Sequence, residues 1–209
     1  MNVTIEKNAL HEFDLSYYDK YPLLCGTDEA GRGPLAGDVF AAAVIFSPDT
    51  VIDGINDSKK LSPKKREQLF DEIKQKALYW AIAAASVEEI DRLNILQCSM
   101  LAMKRAVDKL EVVPDLVLAD GNKTPLVDCP TEFVIKGDAK SQSIAAASVL
   151  AKVARDRYML EMAQKYPQYS FEKHKGYGTK LHYEALDKYG ACEIHRRTFL
   201  KKYYAAKQK

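Results

Sequence analysis

Four acidic residues stand directly after short apolar stretches. LLCGT runs into Asp28 and Glu29, DLVLA into Asp120, and EFVIKG into Asp138. In an open α/β sheet, ligands gather beyond the strand ends. A lone acid in such a place is ordinarily a helix cap or a turn former; three such places with four acids ask for more. Carboxylates brought within a few ångströms repel one another unless a cation neutralises them. Hard oxygen donors with open positions suit Mg²⁺ or Mn²⁺. Two such ions ~4 Å apart serve in-line phosphodiester displacement, one activating water and the other stabilising the leaving oxygen. Backbone geometry sets a condition on this reading. Neighbours along a strand point to opposite faces, so Asp28 and Glu29 share one site only if the strand ends or bends there. Gly26, Gly31 and Gly33 supply the freedom for that.

Other polar groups could serve the same chemistry. In Gly31-Arg32-Gly33-Pro34 the glycines admit a ligand close to the backbone, and exposed amides can bond phosphate or sugar hydroxyls. Taken alone, the same residues read as a tight turn, and no Walker loop is present. Lys59, Lys60, Lys64, Lys65 and Arg66 form a basic run that is either a solvated helix start or a phosphate contact. The stretch opening at Ser141 begins a helix three residues after Asp138, and its first amides are candidates for phosphate. Ser148, Lys152 and Arg155 are secondary candidates. In His174-Lys175-Gly176-Tyr177-Gly178 the aromatic ring could stack on a sugar or base, or be incidental. His11, His182 and His195 read as surface or packing residues, and Arg196 and Arg197 as phosphate contacts or, by preference, ties between the tail and the body. Asp91 and Asn94 receive no chemical role.

The elements that must position these groups follow from pattern and punctuation. Leu23–Thr27 reads as a strand entering the polar turn Asp28–Gly33, and Asp38–Phe46 as its buried partner. Ser62 is an N-cap with Pro63 at the first helical position, which predicts a helix from Pro63 to about Lys76. Ala77–Ser86 is a third strand, with a helix as the alternative given its alanines. Val87–Leu93 and Ile95–Leu110 read as helices, Leu116–Ala119 and Glu132–Ile135 as strands. A long Ala-rich helix runs from near Ser141 to about Lys165, and a last one spans about Lys180–Tyr189, ended by Gly190. The order predicts an α/β domain with a mixed sheet, an antiparallel opening hairpin and later parallel strands.

Composition narrows the classes. The chain has 209 residues, 47% hydrophobic and 29% charged, which suits a folded globular domain and excludes wholesale disorder. No apolar run approaches the ~20 residues of a membrane span. The N-terminus lacks a secretory signal pattern. Cys25, Cys98, Cys129 and Cys192 are far apart without a CxxC spacing, so reduced thiols in the cytoplasm are expected rather than disulfides or zinc. Charge is divided unevenly: residues 1–135 hold 15 Lys and Arg against 22 Asp and Glu, residues 136–209 hold 16 against 7. A basic C-terminal third beside an acid-rich remainder fits a polyanion binder with metal chemistry, or simply a mixed solvated surface.

Six motifs then carry a resemblance. DEAGRGPLAG (Asp28–Gly37), DSKKLS (Asp57–Ser62), LADGN (Leu118–Asn122), KGDAKSQSIAAASVLAKVARD (Lys136–Asp156), HKGYGT (His174–Thr179) and GACEIHRRTF (Gly190–Phe199) occur in this order. Together they resemble the bacterial ribonuclease HII family over Leu23 to Phe199. The resemblance implies a ribonuclease H-like fold, a mixed central β-sheet flanked by helices. It implies one catalytic domain over 1–209, with an α/β core at about 23–165 and a helical C-terminal extension at about 166–209. It implies hydrolysis of RNA in RNA–DNA hybrids and at single ribonucleotides embedded in duplex DNA, dependent on two Mg²⁺ or Mn²⁺ ions. Cleavage would fall 5′ of the ribonucleotide, leaving a 3′-hydroxyl and a 5′-phosphate and serving ribonucleotide removal from DNA. The family's catalytic and metal-binding acids map onto Asp28, Glu29, Asp120 and Asp138, its ribonucleotide-sensing loop onto Gly31, Arg32 and Gly33, and its sensing tyrosine onto Tyr177. Lys59, Lys60, Ser141, Ser148 and His174 are expected substrate contacts. A cytoplasmic monomer without an obligate protein partner or membrane attachment is expected. Two alternatives remain: a nuclease preferring long RNA tracts, and a non-catalytic nucleic-acid binder, which would gain nothing from clustered carboxylates.

Overall fold

A computed structural model describes residues 8–207. The N-terminal residues behind the reading of no secretory signal lie partly outside the described residues. Five strands form one sheet in the order β3-β2-β1-β4-β5: β1 (Leu24–Ala30), β2 (Val39–Ile45), β3 (Tyr79–Ala85), β4 (Leu116–Asp120) and β5 (Thr131–Val134). β1, β2 and β3 pair antiparallel, whereas β1–β4 and β4–β5 are parallel. The expected mixed sheet is therefore present. Tyr79–Ala85 is a strand despite its alanines, because it closes the ladder on β2 and buries alternate residues.

Helices cover both faces. α1 (Ala9–Tyr18), α2 (Pro63–Lys76) and α5 (Gln142–Lys165) lie on one, and α3 (Val87–Leu93) and α4 (Ile95–Asp108) on the other. Ser62 caps α2 by accepting from the Lys65 amide, with Pro63 at the first turn. The opening half of α5 is buried all round, its alanines 145, 146, 147 and 151 sitting in the core. Small side chains let the helix backbone come close to the sheet. Gly26 completes that approach, since a Cβ there would lie 2.2 Å from the Ser143 carbonyl carbon. α6 (Phe171–His174), α7 (Lys180–Tyr189) and α8 (Arg197–Lys207) gather around the far half of α5, with Met159, Tyr169, Phe171, Leu186 and Leu200 buried between them. Among the described residues no helix is long and apolar enough to cross a membrane.

Several boundaries differ from the sequence expectation, with physical reasons. β1 runs on through Asp28 and Glu29 to Ala30, because β2 pairs with it as far as Ala30↔Phe40. α1 is not among the elements the sequence pattern marks, and α8 falls within the expected helical C-terminal extension without a range of its own. Asp91 explains why α8 starts where it does: its carboxylate accepts the Arg197 and Thr198 amides at 2.8 and 2.9 Å. Asn94 sits at φ +73° between α3 and α4, and its side chain accepts the Leu96 and Gln97 amides. Both residues thus satisfy donors that a helix start leaves open. The first amides of α5 are not open to a phosphate. Ser143 N–H donates to Asp14 Oδ2 at 2.8 Å, and Ile144 N–H to the Ser141 hydroxyl at 3.2 Å.

Candidate active site

Strand alternation decides which acids converge. Leu24 and Gly26 of β1 and Leu116 and Leu118 of β4 face α1 and α5, and the parallel register pairs Gly26 with Leu118. Two residues further on, Asp28 and Asp120 occupy the same face. Asp138 arrives on the turn after β5 (Gly137–Ala139). That turn is bound to Asp120, whose Oδ1 accepts the Gly137 amide at 2.6 Å. Gly137 allows this closeness, as a Cβ would stand 2.6 Å from Ile144 Cδ1 and 3.3 Å from Asp120 Oδ1. Oxygens of Asp28, Asp120 and Asp138 lie within 4.8 Å of one another.

Glu29 is not within that distance of the triad, and its Oε1 accepts from Arg32 Nη1 at 3.3 Å. It still lines the same groove as Asp28 and Asp120.

Electrostatics favour a cation here. Burial raises the Asp28 carboxyl well above the usual range, and repulsion from Glu29 and Asp120 adds to the shift. Asp138 is raised by burial, then by Asp120 and Asp57. Glu29 is raised by burial and partly rescued by Arg32. The Lys59 ammonium lies 3.4 Å from Asp138 Oδ2 and 3.9 Å from Asp57 Oδ1, offsetting some of the charge. A buried set of hard oxygen donors under mutual repulsion fits a divalent ion such as Mg²⁺ or Mn²⁺. It is the one group of potential metal ligands among the described residues, and all four cysteines are free thiols.

The groove holding Asp28 and Asp120 encloses about 370 Å³. Gly31, Arg32, Gly33, Lys59, Ser148 and Tyr177 line it together with Asp28, Glu29 and Asp120. Lys60 borders an adjoining hollow with Lys59, Asp120 and Asp138. Three sequence candidates lie elsewhere or are committed otherwise. Ser141 is fully buried as the cap of α5. Ser148 reaches the groove, with its hydroxyl 2.8 Å from that of Ser58. His174 is buried beneath the loop, one ring nitrogen bonded to the Tyr169 carbonyl and the other to the Gly176 amide. Among the secondary candidates, Lys152 is paired with Asp156 at 2.6 Å, and Arg155 has no exposed surface.

Two buried arginines bind backbone carbonyls around this turn: Arg196 as the expected tie between tail and body, and Arg155 in place of the phosphate contact expected of it. Arg196 donates to the carbonyls of Gly31, Arg32, Pro34 and Gly37. Arg155 donates to those of Ala36, Asp38 and Lys175. The guanidiniums hold the turn Gly31–Gly37 from beneath by its carbonyls. Gly31, at φ +104°, is required for this, because a Cβ would lie 2.1 Å from Arg155 Nε. The sequence shows Arg196 only as one of two adjacent arginines in a basic tail; nothing local marks it as buried.

The same architecture occurs in the crystal structure of the ribonuclease H2 from Pyrococcus horikoshii, at a TM-score of 0.70 and 27% identity over 84% of this chain and 92% of that one. Fold and site together define a hydrolase of the ribonuclease H class. The family model for ribonuclease HII matches residues 25–205. Ribonuclease HII of Idiomarina loihiensis is 60% identical over 85% of this chain and 95% of its own length. That of Caldicellulosiruptor bescii is 56% identical over 96% and 98%. The chain belongs to the ribonuclease HII family.

Proposed function

We propose that this protein cuts the phosphodiester 5′ of a ribonucleotide in RNA–DNA hybrids and in DNA duplexes carrying single ribonucleotides. The products are a 3′-hydroxyl and a 5′-phosphate, and the role is ribonucleotide removal from DNA, as a cytoplasmic monomer. The observation that carries the reading is the convergence of Asp28, Asp120 and Asp138 within 4.8 Å, beside a groove that Asp28 and Asp120 share with Gly31, Arg32, Gly33 and Tyr177.

Asp28, Asp120 and Asp138 would hold two Mg²⁺ or Mn²⁺ ions, with Glu29, which lines the same groove, completing the set. When bound, such ions supply a nucleophile at neutral pH and stabilise charge on the leaving oxygen. The remaining work falls to the chain itself. With the Gly31 and Arg32 carbonyls turned onto Arg196, the turn at Gly31–Gly33 has its amide side left for a ligand. A ribose 2′-hydroxyl is both donor and acceptor, so it can be read by backbone groups that glycines leave uncovered. Tyr177 is 45% exposed, and its Cε1 would lie 3.6 Å from a Cβ on Gly33. Its ring can therefore press on the sugar beside the one being read. Lys59 and Lys60 flank the acids, where they position a phosphate backbone without selecting sequence.

The test compares three duplexes, with and without Mg²⁺ or Mn²⁺: one embedded ribonucleotide, a long RNA–DNA hybrid and all-DNA. Metal-dependent cleavage of the first two at the stated bond is expected. Cleavage of all-DNA, or cleavage indifferent to chelator, overturns the reading.

A further inference from the structure

Beneath the Tyr177 loop lies a second gathering of titratable groups. His174 comes from α6, His182 from α7, and Cys192 and His195 from the segment between α7 and α8. All three rings are buried, at 7%, 0% and 0% exposure. His182 Nε2 and His195 Nε2 are 3.0 Å apart, and the His174 and His182 rings stack at 4.5 Å.

The partners fix every proton. His182 Nδ1 is 2.9 Å from the Tyr177 carbonyl, which can only accept, so Nδ1 carries the hydrogen. In the neutral ring Nε2 must then accept, and His195 Nε2 must donate to it. That leaves His195 Nδ1 as an acceptor, and there it meets the Cys192 amide at 3.0 Å and the Cys192 thiol at 3.1 Å. His174 follows the same logic: Nε2 donates to the Tyr169 carbonyl, and Nδ1 accepts from the Gly176 amide. One set of neutral tautomers satisfies all six ring nitrogens. A metal does not fit this cluster, because the nitrogens face each other as donor and acceptor pairs and the thiol sits on the far side of the His195 ring from His182.

The polarised chain ends on the backbone of Tyr177. Its carbonyl accepts from His182 and from the Thr179 amide at 2.8 Å, and its amide donates to the His174 carbonyl at 2.9 Å. Just before it, Gly176 at φ +84° accepts from the Leu35 amide at 2.8 Å, which ties this loop to the Gly31–Gly37 turn. The tyrosine is thus held at its backbone while its ring stays half exposed over the groove.

We propose that the Cys192–His195–His182 chain is the positioning device for Tyr177, and so sets the preference for a single embedded ribonucleotide over a long RNA tract. The inference rests on the reading of Tyr177 given above. Burial supports it by keeping the rings uncharged: it pushes His182 and His195 each down to about 4, with repulsion from His174 on the first and from His182 and Arg197 on the second, and it lowers His174 despite Glu172 nearby. His182 is a positioning residue, since it touches the tyrosine backbone and not the groove.

The experiment measures kcat/KM on the single-ribonucleotide duplex and on the long hybrid for wild type, Tyr177→Ala, His182→Ala, His182→Asn and the Tyr177→Ala/His182→Ala pair. Losing the bond should lower His182→Ala on the first substrate by about tenfold while the second stays within about twofold. His182→Asn, whose amide can donate from the place of Nδ1, should recover most of that loss. In the Tyr177→Ala background the His182 change should cost nothing more in the ratio. If Tyr177→Ala leaves the ratio intact, the sensing role of Tyr177 falls, and this inference with it. If Tyr177→Ala changes the ratio but His182→Ala does not, or if the two changes add, the positioning role alone falls. A long-range proton–nitrogen NMR spectrum of the wild type gives a reading independent of folding in the variants. His182 is expected as the Nδ1–H tautomer and His195 as the Nε2–H tautomer; His182 in the Nε2–H form overturns the chain.

Discussion

The carboxylate triad and the histidine chain each bring three titratable side chains together inside the fold, and they solve the problem of closeness in opposite ways. In the triad every group is an acceptor. Asp28, Asp120 and Asp138 cannot bond one another while ionised, so burial and repulsion raise Asp28 and Asp138. Relief must come from outside, by a cation or a proton. In the histidine chain each ring presents one donor and one acceptor. The rings complete one another, and burial lowers their affinity for a proton. A frustrated cluster is suited to binding, whereas a satisfied one is suited to holding a loop still.

The largest effect should come from removing the frustration. Asp28→Asn, Asp120→Asn and Asp138→Asn each delete a ligand charge at nearly constant volume. Each should retain the fold, melt higher than wild type in metal-free buffer, and lose cleavage by at least about a hundredfold. In wild type, saturating Mg²⁺ should raise the melting temperature through ligand linkage, and the Asn variants should lose most of that rise. An Asp28→Asn protein cleaving near the wild-type rate would break the contrast at its root.

A smaller and selective loss is expected at the end of the histidine chain. Tyr177→Ala should lose more activity on a single embedded ribonucleotide than on a long hybrid, by about tenfold in the ratio, because a hydroxyl read by buried partners is worth several times the thermal energy. Tyr177→Phe should fall between, keeping the ring and losing its hydroxyl. Equal losses on both substrates would leave sensing to the Gly31–Gly33 backbone alone.

Replacing Lys59 and Lys60 together with alanine probes the cationic rim of the triad. Binding to every duplex should weaken alike, with the salt slope reduced by about one or two. A loss confined to ribonucleotide-containing duplexes would contradict a phosphate-positioning role.

The most delicate contrast is pH. Raised carboxyls bind protons more tightly in the folded chain, so the triad gains stability as metal-free protein is acidified towards the ordinary carboxylate range. Lowered histidines act the other way. Their contribution is full above about 6.5 and is lost as pH falls towards 4. Where the two ranges overlap, they partly cancel in wild type. Asp28→Asn/Asp138→Asn should therefore lose melting temperature more steeply on acidification, by about 2–4 °C for each kcal/mol removed. Calorimetric melts across that range check it; parallel curves would show that the triad takes up no protons there.

Much of the candidate site is legible in the sequence because its signals are local. Acids after apolar runs, glycines around Arg32, and Ser62-Pro63 ahead of a helix each announce their chemistry within a few residues. The geometric condition on Asp28 and Glu29 was also legible, and the structure answers it. β1 continues through both residues, and Glu29 lines the groove with Asp28 while lying outside the 4.8 Å triad. The histidines were legible only as packing residues. Their donor and acceptor roles depend on facing atoms that no spacing displays, such as Cys192 against His195.

What the sequence determined by itself is the inventory: which strands carry acids at their ends, which turn can approach a sugar, and which family the motifs resemble. What the tertiary structure decided is the partnership of groups far apart in the chain. Asp14 takes the Ser143 amide across 129 positions, and Arg196 takes the Gly31 carbonyl across 165. Periodicity, capping and turn chemistry act over a few residues, so they leave such bonds unspecified. A buried guanidinium or carboxylate finds its partners only when packing has removed water and brought the unpaired backbone groups of another element to face it.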